Sequence, residues 1–399
     1  MLAESQERML IEVAPEDVGL MGAIAEKYDL VWSDIGEVIH EPRYTVRFRG
    51  ETVADLPIAL LVGGAPLCAL EMRPYSAETP FSRPAAPVKD LALAVLAHPD
   101  VARKDWVYEQ YDKEVQLRTV SFQHDAAVLR LEGKALVLSC GCNPRHIYLR
   151  PREGTANAVV ENASNLACLG AEPLCILDCL NFASPEHPEV AWQLEEAVLG
   201  LGDAARRMGI PVVGGNVSLY NESDEFGTAI KPTPSLGMIG RGEVREWTAP
   251  AEGDLLALIG RTSPDFGGSV LDAVTGCGGP APGAADPAAV GLVRELVRDG
   301  RVTAATDLSR GGLLAALAKF APRGDVSLAG DPVEALFAET CGRFLVAARD
   351  EAVLAGVEHR TIGTAGGDAL ILRLRDGTVS IAPAEMETAL SATTRLMRY

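Results

Sequence analysis

Asn216 and Ser218 stand two residues apart, directly after Gly214-Gly215. In extended chain that spacing points both side chains to one side. Asn offers a carbonyl oxygen and an amide, Ser a hydroxyl. Such groups suit a metal ion, a phosphate or a sugar, and glycines without Cβ let backbone N–H groups approach a ligand closely. A plain Gly-Gly turn has the same pattern, so spacing alone leaves both readings open. Asp178 follows the apolar run Leu174–Leu177, with Asn181 in the loop beyond. Open α/β sheets gather ligand groups at strand ends, so Asp178 and Asn216 are expected to face one site. A carboxylate and an amide oxygen are hard ligands fit for Mg2+ with a nucleotide. An Asp that caps the loop is the alternative. Glu4-Ser5-Gln6 is a polar triplet before a strand, able to hold a substrate or to be a frayed terminus. Gly267-Gly268-Ser269 and Asp307–Gly312 are Gly-rich turns ahead of helices, where anions can bind. No Lys follows these glycines as in a Walker A loop, and both are read as structural turns. Asp125 is read as a loop cap in preference to a metal ligand.

Alternating strand and helix patterns position these residues. Ile210–Val213 reads as a buried strand after a helix ending at Gly209, and Glu189–Met208 as an amphipathic helix. Ala126–Leu131, Ala135–Ser139 and Leu255–Ile259 read as strands, and Ala156–Leu169, Pro287–Asp299 and Leu313–Phe320 as helices. Near the start, Met9–Val13, Ile35-Gly36 and Tyr44–Gly50 read as strands and Pro15–Lys27 as a helix. The Pro/Gly/Ala stretch Ala281–Ala285 is expected to be mobile.

The 399 residues suffice for two or three domains, with 48% hydrophobic and 23% charged residues. The net charge of −19 argues against a general nucleic-acid binder, which needs a basic face. No CxxC pair has a second pair at zinc spacing, so the eight cysteines are read as reduced thiols, mostly in the core. The longest apolar run, Leu56–Leu70, is broken by glycines and prolines and is too short for a bilayer. No membrane role and a cytoplasmic location are the expectations.

The two ends of the chain repeat one another. Glu4–Leu10 pairs with Glu339–Leu345, Ile35-Gly36 with Ile362-Gly363, and Val46–Gly50 with Leu372–Gly377. The chain therefore opens inside one copy of a domain and later holds a whole copy. The expected partition is 1–80 as a remnant, 81–118 as a linker, and α/β units at 119–248 and 249–399.

ESQERML at Glu4–Leu10, CNPR at Cys142–Arg145, GAEP at Gly170–Pro173, DCLNF at Asp178–Phe182 and VVGGNVSLYNE at Val212–Glu222 resemble one family. It is the synthetase subunit of phosphoribosylformylglycinamidine synthase, within the aminoimidazole ribonucleotide synthetase-like superfamily. The resemblance covers nearly the whole chain but only the second part of the family's protein. It implies an α/β (α+β) fold, a module of two α/β units whose first unit contributes to a β-barrel, preceded by the tail of another such module. It implies ATP-dependent conversion of formylglycinamide ribonucleotide, with ammonia from glutamine, to the amidine in purine biosynthesis. ATP and Mg2+ are the implied cofactors. The implied partners are the missing N-terminal module, a glutaminase subunit and a small accessory subunit. Carried over by residue, Glu4, Ser5, Gln6 and Ser218 bind substrate, Asp178 and Gly215 bind ATP, and Asn216 ligates Mg2+. No catalytic residue is assigned, because the family's catalytic histidines lie in the first module. His124 stands where the family has Gly, and Gly141 where it has Asp. Both departures weaken an independent site in the module present. The alternative function is a nucleotide-binding scaffold without turnover, and a kinase-like member of the superfamily ranks below it.

Overall fold

The computed structural model describes residues 6–64, 69–122, 124–223 and 225–397, in two compact units, Met1–Ala69 and Leu70–Tyr399. The first unit holds the helix Val18–Lys27, the antiparallel hairpin β1 (Arg43–Phe48) and β2 (Glu51–Pro57), and a short helix Ile58–Gly63. Its core is slight: on the long helix only Gly22 and Ala25 are buried. Met9 and Leu10 are 87% and 84% exposed, and Val31 is fully exposed. The strands expected at Met9–Val13 and Ile35-Gly36 do not form. A strand needs a neighbour to satisfy its N–H and C=O groups, and no described strand lies beside either segment.

The second unit is built on two sheets. The first runs through β3 (Thr119–Ser121), β4 (Ala127–Leu131), β5 (Lys134–Gly141), β6 (Glu172–Asn181) and β7 (Val212–Ser218). After a small hairpin of β8 (Glu222–Ser223) and β9 (Thr228–Ala229), β10 (Thr233–Gly242) returns to it. The spatial order is β3-β4-β5-β10-β6-β7, with only β6 and β7 parallel. β6 outruns its expected end at Leu177 by four residues, because β10 pairs with it as far as Asn181.

The second sheet takes β11 (Leu255–Ile259), β12 (Ala304–Leu308), β13 (Gly324–Ser327), β14 (Arg343–Ala348), β15 (His359–Ala365), β16 (Leu370–Leu374) and β17 (Gly377–Ile381). Their order is β12-β14-β11-β15-β13-β16-β17. The helix Pro151–Ala167 lies between the sheets, and one core joins its Val159, Ala163 and Leu166 to Phe344 and Val346 of β14. Packing is close enough that a Cβ on Gly200, in the helix Pro188–Met208, would lie 2.1 Å from the Arg152 carbonyl oxygen.

The other face of the second sheet carries a separate core. Leu91, Ala92, Val95 and Leu96 of the helix Val88–Ala97 are part of it, so the segment read as a linker contributes a helix to the core. Phe81 stacks on Phe266 at 4.6 Å between ring centres. The loop Ala281–Ala285 is pinned, not loose: Asn157 Nδ2 donates to the Gly283 carbonyl (2.8 Å) and its Oδ1 accepts from Ala285 N (2.9 Å). All seven described cysteines are free thiols; Cys142, Cys168 and Cys277 are buried, Cys140 and Cys179 exposed. Among the described residues no helix is long and apolar enough to cross a membrane.

Candidate functional site

Asp178, Gly215, Asn216 and Ser218 are brought together by the parallel pair β6 and β7. The register sets Asp178 opposite Gly215, Cys179 opposite Asn216 and Asn181 opposite Ser218. Paired residues share a face and neighbours along a strand alternate. Asp178 and Gly215 therefore lie on the face that carries buried Ile176, and Asn216 and Ser218 on the other, with exposed Cys179. This corrects the expectation that Asp178 and Asn216 face one site. Strand ends gather ligand groups, but the two-residue period sends adjacent registers to opposite sides.

Each face has its own local chemistry. A Cβ on residue 215 would sit 2.3 Å from the Asp178 carboxyl, so only glycine leaves that carboxylate its place. Partial burial raises the Asp178 pKa. On the other face Asn216 Nδ2 donates to Ser218 Oγ (3.1 Å), which leaves Asn216 Oδ1 outside the described hydrogen bonds. Asn221 Nδ2 fixes the following turn by donating to the carbonyls of Phe182 (2.9 Å) and Ser218 (2.8 Å). The Asn216 amide oxygen is a hard donor of the kind a cation takes, and the Asp178 carboxylate beside Gly215 lies on the opposite face of the strand pair. Among the described residues no group of three or more His, Cys, Asp or Glu is placed to hold a metal. Glu4 and Ser5 lie outside the described residues; Gln6 is exposed, in the first unit.

Within the second unit, pattern reading missed a second polar cluster between the two sheets. Glu339 Oε1 accepts from Val270 N (2.8 Å) and Gly311 N (2.7 Å), so one carboxylate oxygen holds both Gly-rich turns. Its Oε2 faces His146 Nε2 at 3.5 Å, and neither of these buried atoms has a hydrogen-bond partner. Burial pushes Glu339 up to about 7 and His146 down to about 3. A cavity of about 20 Å³ lies here, lined among others by Asn143, His146, Glu161, Arg310, Glu339 and Cys341. That is room for about one water molecule. Arg310 closes one side by donating to the Cys142 carbonyl, and Arg145 Nε donates to the Gly268 carbonyl (3.0 Å). Asp125 Oδ1 accepts from Thr306 Oγ1 (3.0 Å), a tie between the sheets in place of the local cap expected. Burial raises both Asp125 and Asp307, and the Asp125 charge pushes Asp307 further. The sequence signal for this cluster was the repeat, which pairs Glu339 with Glu4.

A two-sheet fold with helix Pro151–Ala167 between the sheets, and a small polar cavity beside it, defines a two-unit α/β class. The model of the AIR synthase related protein N-terminal domain matches residues 123–242. That of the AIR synthase related protein C-terminal domain matches 1–49 and again 251–363. The chain belongs to the AIR synthase related proteins. Within them it is similar to the phosphoribosylformylglycinamidine synthase subunit PurL of Methanosarcina acetivorans, 46% identical over all of this chain and 59% of the relative. That of Thermococcus gammatolerans is 44% identical over 93% of this chain and 55% of the relative. The chain thus spans less than two thirds of the curated relatives it matches. The solved structure "T. maritima PurL complexed with ATP" shares the fold, with a TM-score of 0.61 and 24% identity over 89% of this chain and 54% of that one.

Proposed function

We propose that this chain is the C-terminal part of a phosphoribosylformylglycinamidine synthase and works only with a first module that it does not contain. The observation that carries this reading is the double match of one domain model, to 1–49 and to 251–363, on either side of an N-terminal-domain match. The names of the relatives and of the solved structures with ATP and with FGAR support the substrates. In the reaction the γ-phosphoryl of ATP goes to the amide oxygen of formylglycinamide ribonucleotide. Ammonia then bonds to that carbon, and phosphate leaves with the oxygen. Asp178 beside Gly215 would hold ATP, Asn216 would ligate Mg2+, and Ser218 and Glu4-Ser5-Gln6 would hold the ribonucleotide. Bound Mg2+ would neutralise charge on the transferring phosphoryl. The open face of the first sheet, with exposed Leu177 and Val213, supports a partner sheet there. A glutaminase subunit and a small accessory subunit complete the proposed complex, in the cytoplasm.

The purified chain alone should make no amidine from ATP, ammonia and formylglycinamide ribonucleotide. Co-expression with the missing first module should restore phosphate release coupled to amidine formation. Turnover by the chain alone would refute the partition, and an inactive but assembled complex would refute the assignment.

A further inference from the structure

Asn221 joins three segments just beyond the candidate site. Its main-chain N–H and its Nδ2 both donate to the Phe182 carbonyl, at 3.1 and 2.9 Å, where the chain leaves β6. Nδ2 donates also to the Ser218 carbonyl at the end of β7 (2.8 Å). The Asn221 carbonyl accepts from Ile230 N (3.1 Å), directly after β9. Phe182 is fully buried, so the junction is anchored in the interior. Phe182 N donates back to the Ser218 carbonyl (3.0 Å), which thus takes two donors and is fixed in direction. Between Ser218 and Asn221 the chain reverses through Tyr220, at a φ of 61°. A residue with a Cβ keeps that left-handed conformation only where its surroundings impose it. Here they do: Tyr220 N donates to the Ala183 carbonyl (3.2 Å), and the Asn221 bonds hold the next residue.

We propose that Asn221 is a positioning residue, which acts through Ser218 to set the direction of Asn216 Oδ1. Ser218 Oγ accepts from Asn216 Nδ2 (3.1 Å), and Asn216 Oδ1 accepts no hydrogen bond among the described residues. The amide is planar, so holding its nitrogen aims its oxygen. Asn221 fixes Ser218, Ser218 holds the Asn216 nitrogen, and the oxygen is presented outward at a set angle. The relay stands on these bonds; the proposed function is needed only for what the oxygen meets, a divalent cation. Residue 221 must donate twice to carbonyls, which an ionised Asp of nearly the same shape cannot do.

NMR of this chain tests the relay without activity. Asn221→Ala should move the side-chain amide signals of Asn216. It should leave in place those of Asn162, whose Nδ2 donates to the Ala158 carbonyl (2.8 Å) in the helix Pro151–Ala167. Unmoved Asn216 signals would overturn the relay. Movement of both would mean that Asn221 holds the whole unit together, and would overturn it equally. Asn221→Asp, with the same displacement expected, decides the matter if the alanine variant does not fold. In the completed synthetase, Asn221→Ala should raise the Mg2+ concentration for half-maximal rate about tenfold or more, as loss of a residue behind a metal ligand does. Asn216→Ala is the reference and should raise it at least as far. If Asn216→Ala raises it and Asn221→Ala does not, Asn221 positions nothing. If neither does, the proposed function has failed at this site, and the positioning role falls with it.

Discussion

Gly36 and Gly363 occupy matching places in the two copies of the repeat and have nearly the same φ, 157° and 158°. A Cβ on Gly363 would come within 1.9 Å of the Asp325 carbonyl oxygen, in the neighbouring β13. Around Gly36 nothing described lies within 4 Å. The same contrast holds for the strand that precedes each glycine. Arg343–Ala348 is buried throughout, with β12 on one side and β11 on the other. Arg8–Val13, its counterpart, is exposed and pairs with no described strand. The residues that make a central strand in one copy are present in the other, and the strand is missing because its neighbours are. The stretch corresponding to β11, β12 and β13 is what the proposed first module would bring.

Phe344 and Met9 are the sharpest pair for testing this. Phe344 is 0% exposed and Met9 is 87% exposed. Phe344→Ala should destabilise the second unit by about 3–5 kcal/mol, as lost burial plus a cavity. Met9→Ala should change stability by no more than about 0.5 kcal/mol. Chemical denaturation of the chain reads both, and comparable losses would break the contrast. Adding the missing module should sharpen it: hydrogen exchange at Arg8–Val13 should slow toward that of Arg343–Ala348. Unchanged exchange in an assembled complex would count against the repeat.

Glu339 and His146 give a smaller effect, with a sign. Glu339 keeps its proton to about 7 in the folded chain, against about 4.3 when unfolded. Its contribution is therefore full below about pH 4.3 and is lost as pH rises through 7. His146, held down to about 3, works the other way: its contribution is present above about pH 6.5 and is lost as pH falls. Removing the first group with Glu339→Gln should make stability rise more steeply between pH 4.5 and 7 than in the wild type. Melting curves across that range check it, and a parallel profile would show that the pair does not titrate as its burial implies.

Gly215→Ala is expected to cost little stability. Residue 215 is exposed on an edge strand, so the cost should stay below about 1 kcal/mol. The new methyl would nonetheless displace the Asp178 carboxylate, and the completed synthetase should bind ATP more weakly. Unaltered ATP affinity, measured by calorimetry, would remove Asp178 from the nucleotide site.

Local patterns were legible wherever a residue's role depends on its near neighbours. The helices Val18–Lys27, Pro188–Met208 and Ala288–Arg298 follow apolar periodicity. Ser269 caps its helix through Asp272 N, as a Gly-Gly-Ser turn suggests. The Asn216–Ser218 pair shares a side as its spacing requires. Register was not legible, because it is set between strands far apart in the chain. It put Asp178 and Asn216 on opposite faces.

The sequence by itself determined the repeat, the order of the α/β units and the family, since these are carried by residue types and spacing along one chain. Only the tertiary structure decided which faces those residues share, which strand is real, and that Glu339 joins two turns to a buried cavity. Each of those depends on a hydrogen-bond partner or a packed neighbour dozens of residues away, and a strand without that partner stays unformed whatever its composition.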